Sequence, residues 1–293
     1  MKLFSFIIFY VVASLVSLLP FRILYWLSDG LYLLVFHVIG YRKRVVYENL
    51  RNAFPDKSSS EIDKIARKYY HHLCDIMVEI IKMMHISKSS IVKHVKFSNP
   101  QVFDDDYADG KHILMVISHF NNWEWLGTLS LQTSYKINSI YKPLRNKFFD
   151  RFMIRVRRRF GADVVPMAKT GRFIVEKFKG NQPCMLNFLS DQSPGRSEVQ
   201  YWTTFLNQDT PVYLGVEKLA IKTRQPVYFG KPVKIKRGYY SVEIKKICDD
   251  ASLLQEHQLT ELHIRELEKA ILDAPECWLW SHRRWKIKRE AQL

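Results

Sequence analysis

His119 and Glu124 stand five positions apart in the string Ser118-His119-Phe120-Asn121-Asn122-Trp123-Glu124-Trp125. A neutral imidazole can take the proton of a hydroxyl as that hydroxyl attacks a carbonyl. A carboxylate on the other ring nitrogen fixes the tautomer and stabilises the imidazolium that forms. The apolar run 113–118 before the pair reads as a buried strand, and 123–132 after it as a helix. His119 therefore falls at the carboxyl end of a strand, where open α/β sheets bind their ligands. Glu124 falls in the first helical turn, from which its carboxylate can return to the imidazole. Such a pair needs no protein nucleophile when the substrate's own hydroxyl attacks. Spacing alone equally allows an ordinary hydrogen-bonded His–Glu pair.

The elements that must hold this pair follow from the apolar pattern. Strands are predicted at 139–142, 162–166, 184–189 and 226–229, with helices at 148–160, 170–178, 212–222 and 254–272 between or after them. Segments 233–235 and 240–247 read as a hairpin turning at Arg237-Gly238. Strand–helix alternation of this kind gives an α/β fold, a mixed, mostly parallel sheet covered by helices on both faces. Upstream, Ser58, Ser59 or Ser60 can cap a helix of about 20 residues that has Glu61 in its first turn. Residues 87–110 are polar and rich in turn formers.

The N-terminus reads as a membrane element. Residues 3–19 are apolar apart from three serines, and Pro20 ends the run. Seventeen residues of helix reach about 25 Å, slightly short of the ~30 Å hydrocarbon core. Residues 21–39 are also apolar but include Arg22, Asp29 and Gly30, which fits an interfacial or re-entrant helix better than a second free span. The division expected is an anchor over 1–40 and a catalytic domain over 41–293. Arg42, Lys43 and Arg44 then place the rest of the chain in the cytoplasm, at the inner membrane. The net charge of +16 calls for an anionic partner, and beside an anchor that partner is a lipid surface rather than nucleic acid. No helix-turn-helix, RNA-recognition or zinc signature supports nucleic-acid binding. Cys74, Cys184, Cys248 and Cys277 share no C-x-x-C spacing and read as free, buried thiols.

Several blocks carry a resemblance. His119-x4-Glu124 is similar to the H-x4-D/E motif of the glycerolipid acyltransferases, and the wider string resembles the H-F-G-N-W-E of the bacterial lipid A late acyltransferases. Asn121 stands where that family has Gly, and Asn tolerates positive φ better than most residues. Tyr141-Lys-Pro143 resembles Y-R-P, and 155–161 resembles R-G-R-x-R-F-G, which puts Arg157 on the functional arginine. Asp191-Gln192 falls on D-Q, and Thr204-Phe-Leu-Asn207 stands where F-F-G is usual. Asn49-Leu-Arg-Asn-Ala-Phe-Pro55 matches N-L-x-x-x-F-P, and 275–286 is close to the tail P-E-Q-Y-x-W-x-H-R-R-F-K.

The resemblance implies acyl transfer from an acyl carrier protein or coenzyme A thioester to a hydroxyl of a lipid A precursor or similar glycolipid. It implies no bound cofactor and no metal. His119 is then the base and Glu124 its partner, with Arg157, Asp191, Gln192 and Asn122 binding substrate. Arg157 can grip an acceptor phosphate or neutralise the oxyanion, and Asp191 can orient Arg157 or bind the acceptor headgroup. The other cations of the basic stretch 142–159 suit lipid or an acidic carrier protein. A lysophospholipid acceptor, or a membrane-surface protein without activity, are the other readings.

Overall fold

The computed structural model of the chain describes residues 2–289 apart from positions 179 and 181. Helices α1 (Lys2–Leu18) and α2 (Phe21–Tyr32) meet at Pro20, whose ring cannot continue α1. A π-helical turn, Leu33–Ile39, prolongs α2 and closes on Gly40 at φ 62°. The helix 21–39 is long and apolar enough to cross a membrane by length and composition.

Neither N-terminal helix stands free of the rest. Phe6 and Phe9 of α1 pack on Phe148, Phe149 and Phe152 of α7 (Lys147–Arg158). The charge of Asp29, which argued against a span, is met by Arg237 at 2.5 Å. The opposite flanks are bare. Leu3, Phe4, Ile7, Ile8, Val11, Val12, Leu15 and Leu18 form one stripe at helical spacing, and Trp26 and Val38 are 73% and 76% exposed.

Helix α3 (Lys43–Ala53) leads to α4 (Ser59–Lys82), which starts at a capping box between Ser58 and Glu61. Of the three candidate serines, Ser58 is the cap. The stretch expected to be turn-rich holds short elements, α5 (Lys88–His94), β1 (Val95–Phe97) and α6 (Asp104–Ala108). The sheet strands then follow: β2 (Ile113–Ile117), β3 (Lys136–Tyr141), β4 (Asp163–Pro166) and β5 (Cys184–Leu189), with α7 before β4 and α8 (Thr170–Lys177) after it. A separate hairpin of β6 (Tyr201–Phe205) and β7 (Gln208–Val212) precedes α9 (Gly215–Thr223), β8 (Val227–Lys236), β9 (Tyr239–Cys248) and α10 (Gln258–Asp273).

The seven-stranded sheet runs β1-β9-β8-β2-β5-β3-β4, parallel throughout except where β9 meets β8. β2 lies near its middle and is buried end to end. Leu114 and Val116 enter the core under α3, α4, α9 and α10; Ile113, Met115 and Ile117 enter the core under α5 and α7. An all-apolar strand serves both layers because successive side chains alternate faces. Burying each such side chain stabilises the fold by about 1.5–3 kcal/mol.

Two expected strands, 226–229 and 233–235, are one strand, β8. Its Pro232 is tolerated because β8 pairs with β2 only through Phe229. The Pro232 carbonyl accepts from Asn121 Nδ2 at 2.7 Å, so the missing N–H faces away from β9 and costs no ladder bond. Val212, expected to open a helix, instead ends β7. All four cysteines are free; Cys74, Cys184 and Cys277 are buried and Cys248 is only partly so.

Candidate active site

Three neighbouring strands deliver the site. β2, β5 and β3 end side by side, carrying His119, Asp191-Gln192 and Tyr141. After β2 the chain turns sharply. Asn121 has φ 52°, the left-handed conformation that Gly would supply, and its amide donates to the Cys277 carbonyl at 2.8 Å. Asn122 then caps the next segment by accepting the Trp125 amide at 3.2 Å.

That segment, Trp123–Leu131, is a 3-10 helix rather than the α-helix the sequence predicts. The hydroxyls of Thr128 and Ser130 bond the carbonyls three residues back, Trp125 and Gly127, at 2.7 and 3.1 Å. These bonds suit the tighter winding.

The carboxylate on the His119 imidazole belongs to Asp191. Nδ1 of His119 lies 2.7 Å from Asp191 Oδ1, and the His119 amide donates to Oδ2 at 3.0 Å. Trp278 Nε1 donates to Oδ2 at 2.9 Å. Burial alone would raise the Asp191 carboxyl, but the His119 charge and these donors outweigh it and hold it down at about 2. Asp191 is thus an anion at neutral pH and fixes the proton of His119 on Nδ1. The other nitrogen, Nε2, keeps its lone pair and faces the Gln192 side-chain amide at 3.1 Å.

Glu124 does not reach His119. It binds Arg157 side-on, accepting from Nε at 2.8 Å and from Nη2 at 2.6 Å and leaving Nη1 outside the pair. The expected partnerships are therefore exchanged: Asp191 serves the histidine and Glu124 the arginine. The neighbouring arginines are spoken for, Arg158 by Asp163 and Arg159 by the carbonyls of Met83 and Ile86. Burial works against the Arg157 charge, but Glu124 outweighs it and raises its pKa.

Asn122 is not placed to bind substrate. It is 2% exposed, and its two polar atoms are taken by Trp125 and by Glu79, whose Oε2 accepts from Nδ2 at 2.7 Å.

Other residues support the site without a motif to announce them. Trp123 packs edge-on against the His119 ring at 5.0 Å. His282 accepts the Ser193 amide at 3.2 Å just after Gln192. Burial lowers its pKa to about 4, so it stays neutral and can accept. The blocks at 49–55 and 275–286 form one unit, because Asn49 Nδ2 donates to the carbonyls of Trp280 and His282 at 2.9 and 3.0 Å. The altered block at 204–207 is the turn of the β6–β7 hairpin, with Leu206 and Asn207 at φ 49° and 61° and Phe205 buried against Trp278.

A cavity of about 890 Å³ opens behind Phe120 and Asn121, between α4 and β8; His119 does not line it. Among the described residues no three His, Cys, Asp or Glu side chains gather as a metal set.

A histidine held by a buried aspartate at the strand ends of a mixed α/β sheet has the geometry that general-base chemistry requires. The chain belongs to the bacterial lipid A biosynthesis acyltransferases, whose family model matches residues 2–287. It is therefore an acyltransferase. It is 23% identical to the lipid A biosynthesis lauroyltransferase of Escherichia coli over 279 residues, 94% of this chain and 89% of that protein. Two lipid A biosynthesis acyltransferases of Haemophilus influenzae are 22% and 25% identical, covering 91% and 92% of this chain and 82% and 86% of their own lengths.

Proposed function

We propose that this acyltransferase moves a fatty acyl chain from a thioester, on acyl carrier protein or coenzyme A, to a hydroxyl of a lipid A precursor or similar glycolipid at the cytoplasmic face of the inner membrane. The observation that carries this reading is the 2.7 Å contact of His119 Nδ1 with Asp191, which leaves Nε2 as the accepting nitrogen. The acceptor hydroxyl replaces Gln192 at Nε2 and gives up its proton there as its oxygen attacks the thioester carbonyl. The tetrahedral oxyanion collapses, the C–S bond breaks, and the imidazolium returns the proton to the thiolate. Ester and free thiol leave, and His119 is neutral again.

Arg157, fixed by Glu124 yet 23% exposed at its side chain, offers Nη1 to an acceptor phosphate or to the oxyanion. The scheme uses no resident cofactor. Lipid contact is supported by the bare stripe on α1 and the apolar helix 21–39. Arg151 and Arg155, exposed on α7, suit an acidic carrier protein.

The experiment is lipid mass spectrometry on a deletion strain complemented with the wild-type chain or with His119→Ala. Loss of one acyl chain from lipid A, restored only by the wild type, supports acceptor and base together. A shift confined to another lipid class, such as lysophospholipids, refutes the acceptor. Full complementation by His119→Ala refutes the base.

A further inference from the structure

Glu79, on α4, carries none of the motif residues, yet three elements converge on it. It is fully buried, and Tyr25 OH of α2 donates to Oε1 at 2.9 Å. Asn122 Nδ2 donates to Oε2 at 2.7 Å and Tyr240 OH of β9 to the same oxygen at 2.9 Å. The Glu79 backbone carbonyl accepts from Trp125 Nε1 at 3.3 Å. Among the described residues no cation pairs with this carboxylate. A buried carboxyl served only by neutral donors is an expensive way to fill a core position, and an apolar side chain would be cheaper. What the carboxyl does that an apolar group cannot is aim the Asn122 amide. Asn122 sits between His119 and Glu124 and caps the segment that carries Glu124.

We infer that Glu79 is a positioning residue for the acyl transfer proposed above, through which the seating of the apolar helix α2 sets the geometry of the segment from His119 to Glu124. α2 is tied to α4 at a second point, where Ser28 Oγ donates to Asp75 at 2.8 Å, so the helix cannot shift without pulling on Tyr25. Lys82, at the end of α4, binds the end of α1 to α4 as well, its ammonium donating to the carbonyls of Ser17 and Leu19 at 2.9 and 2.7 Å. The inference rests on the acyl-transfer reading for its kinetic arm and on geometry alone for its structural arm.

The test compares full-length wild type, Glu79→Leu, Glu79→Gln and Tyr25→Phe in detergent. One readout is hydrogen exchange across the chain; the other is steady-state transfer from a fatty acyl thioester to extracted lipid A precursor. In Glu79→Leu, kcat should fall about 100-fold with KM for the thioester within about twofold, the signature of a displaced catalytic group. Exchange protection over 119–126 should drop while β5 and α10 keep theirs. Glu79→Gln can accept from Asn122 and Tyr240 while donating to Tyr25, and should recover kcat to within about threefold of wild type. Tyr25→Phe should fall between the two. Wild-type kcat and protection in Tyr25→Phe overturn the inference even if Glu79→Leu does not fold. Protection lost uniformly overturns it too, since that marks a residue of general stability. Local loss of protection with no acyl transfer by the wild type sinks the acyl-transfer reading and leaves the coupling standing.

Discussion

Glu124 and Arg157, 33 residues apart, close a two-bond clamp with a carboxylate only 7% exposed. Removing one member strands the other's charge. Arg157→Ala and Glu124→Ala should each destabilise the protein by about 3 kcal/mol, and the double variant should cost much less than the two together. Denaturant unfolding of the four proteins reads this. Additive losses would show that the clamp is not a coupled pair. Arg157→Lys, which cannot make the side-on contact, should not rescue activity.

Asp191→Asn exchanges an acceptor for an amide that can force the His119 proton onto Nε2. Catalysis should then fall by about three orders of magnitude, with the fold retained. A loss under tenfold would mean that His119 does not work through that carboxylate. The same variant carries an acid-stability signature. A carboxyl held down at about 2 from 3.8 contributes about 2 kcal/mol above pH 3.8 and loses it as pH falls through 2. Wild type should lose that increment over this range, and Asp191→Asn should not.

Glu79 shifts the other way. Burial raises its carboxyl from 4.5 to about 7. Its contribution to stability is full below pH 4.5 and is lost as pH rises through 7, by up to about 3 kcal/mol. Glu79→Gln should therefore gain on the wild type as pH climbs, and its Tm difference from wild type should grow in its favour between pH 5 and 8. A constant difference would show that Glu79 does not titrate in that window.

The stripe on α1 predicts partitioning. Replacing Ile7, Val11 and Leu15, all half exposed or more, with Ser should weaken flotation with anionic vesicles while leaving Tm in detergent unchanged. Unaltered flotation would move the membrane contact away from α1.

Charge reversal at Arg151 and Arg155 should raise the apparent KM for a carrier-protein thioester and leave that for a coenzyme A thioester alone. Equal effects on both donors, or none, would remove α7 from donor docking.

Much of the frame was legible because its signals are local. Cys184–Leu189 is an apolar run, broken only by Asn187, between turn formers, and it is a strand to the residue. The Asn121 turn was legible because positive φ narrows the choice of residue to very few. Strand order was not legible. Glu124 lies close to His119 in sequence and Asp191 lies 72 residues away, yet β5 runs beside β2 and brings the distant carboxylate to the imidazole. The hairpin of β6 and β7 escaped because Pro211 and its polar neighbours lack the alternation of a half-buried strand. Glu79 escaped because a lone acid on an amphipathic helix looks solvated until the helix above it is placed.

The Asp191 carboxylate draws its donors from residue 119 on one side and residue 278 on the other, the latter 87 positions further along the chain. Synthesis runs in one direction, so the histidine and the aspartate exist together long before the indole that completes their environment. The site is a late product of translation, and a message cut short after Gln192 would encode every proposed catalytic side chain without encoding the centre.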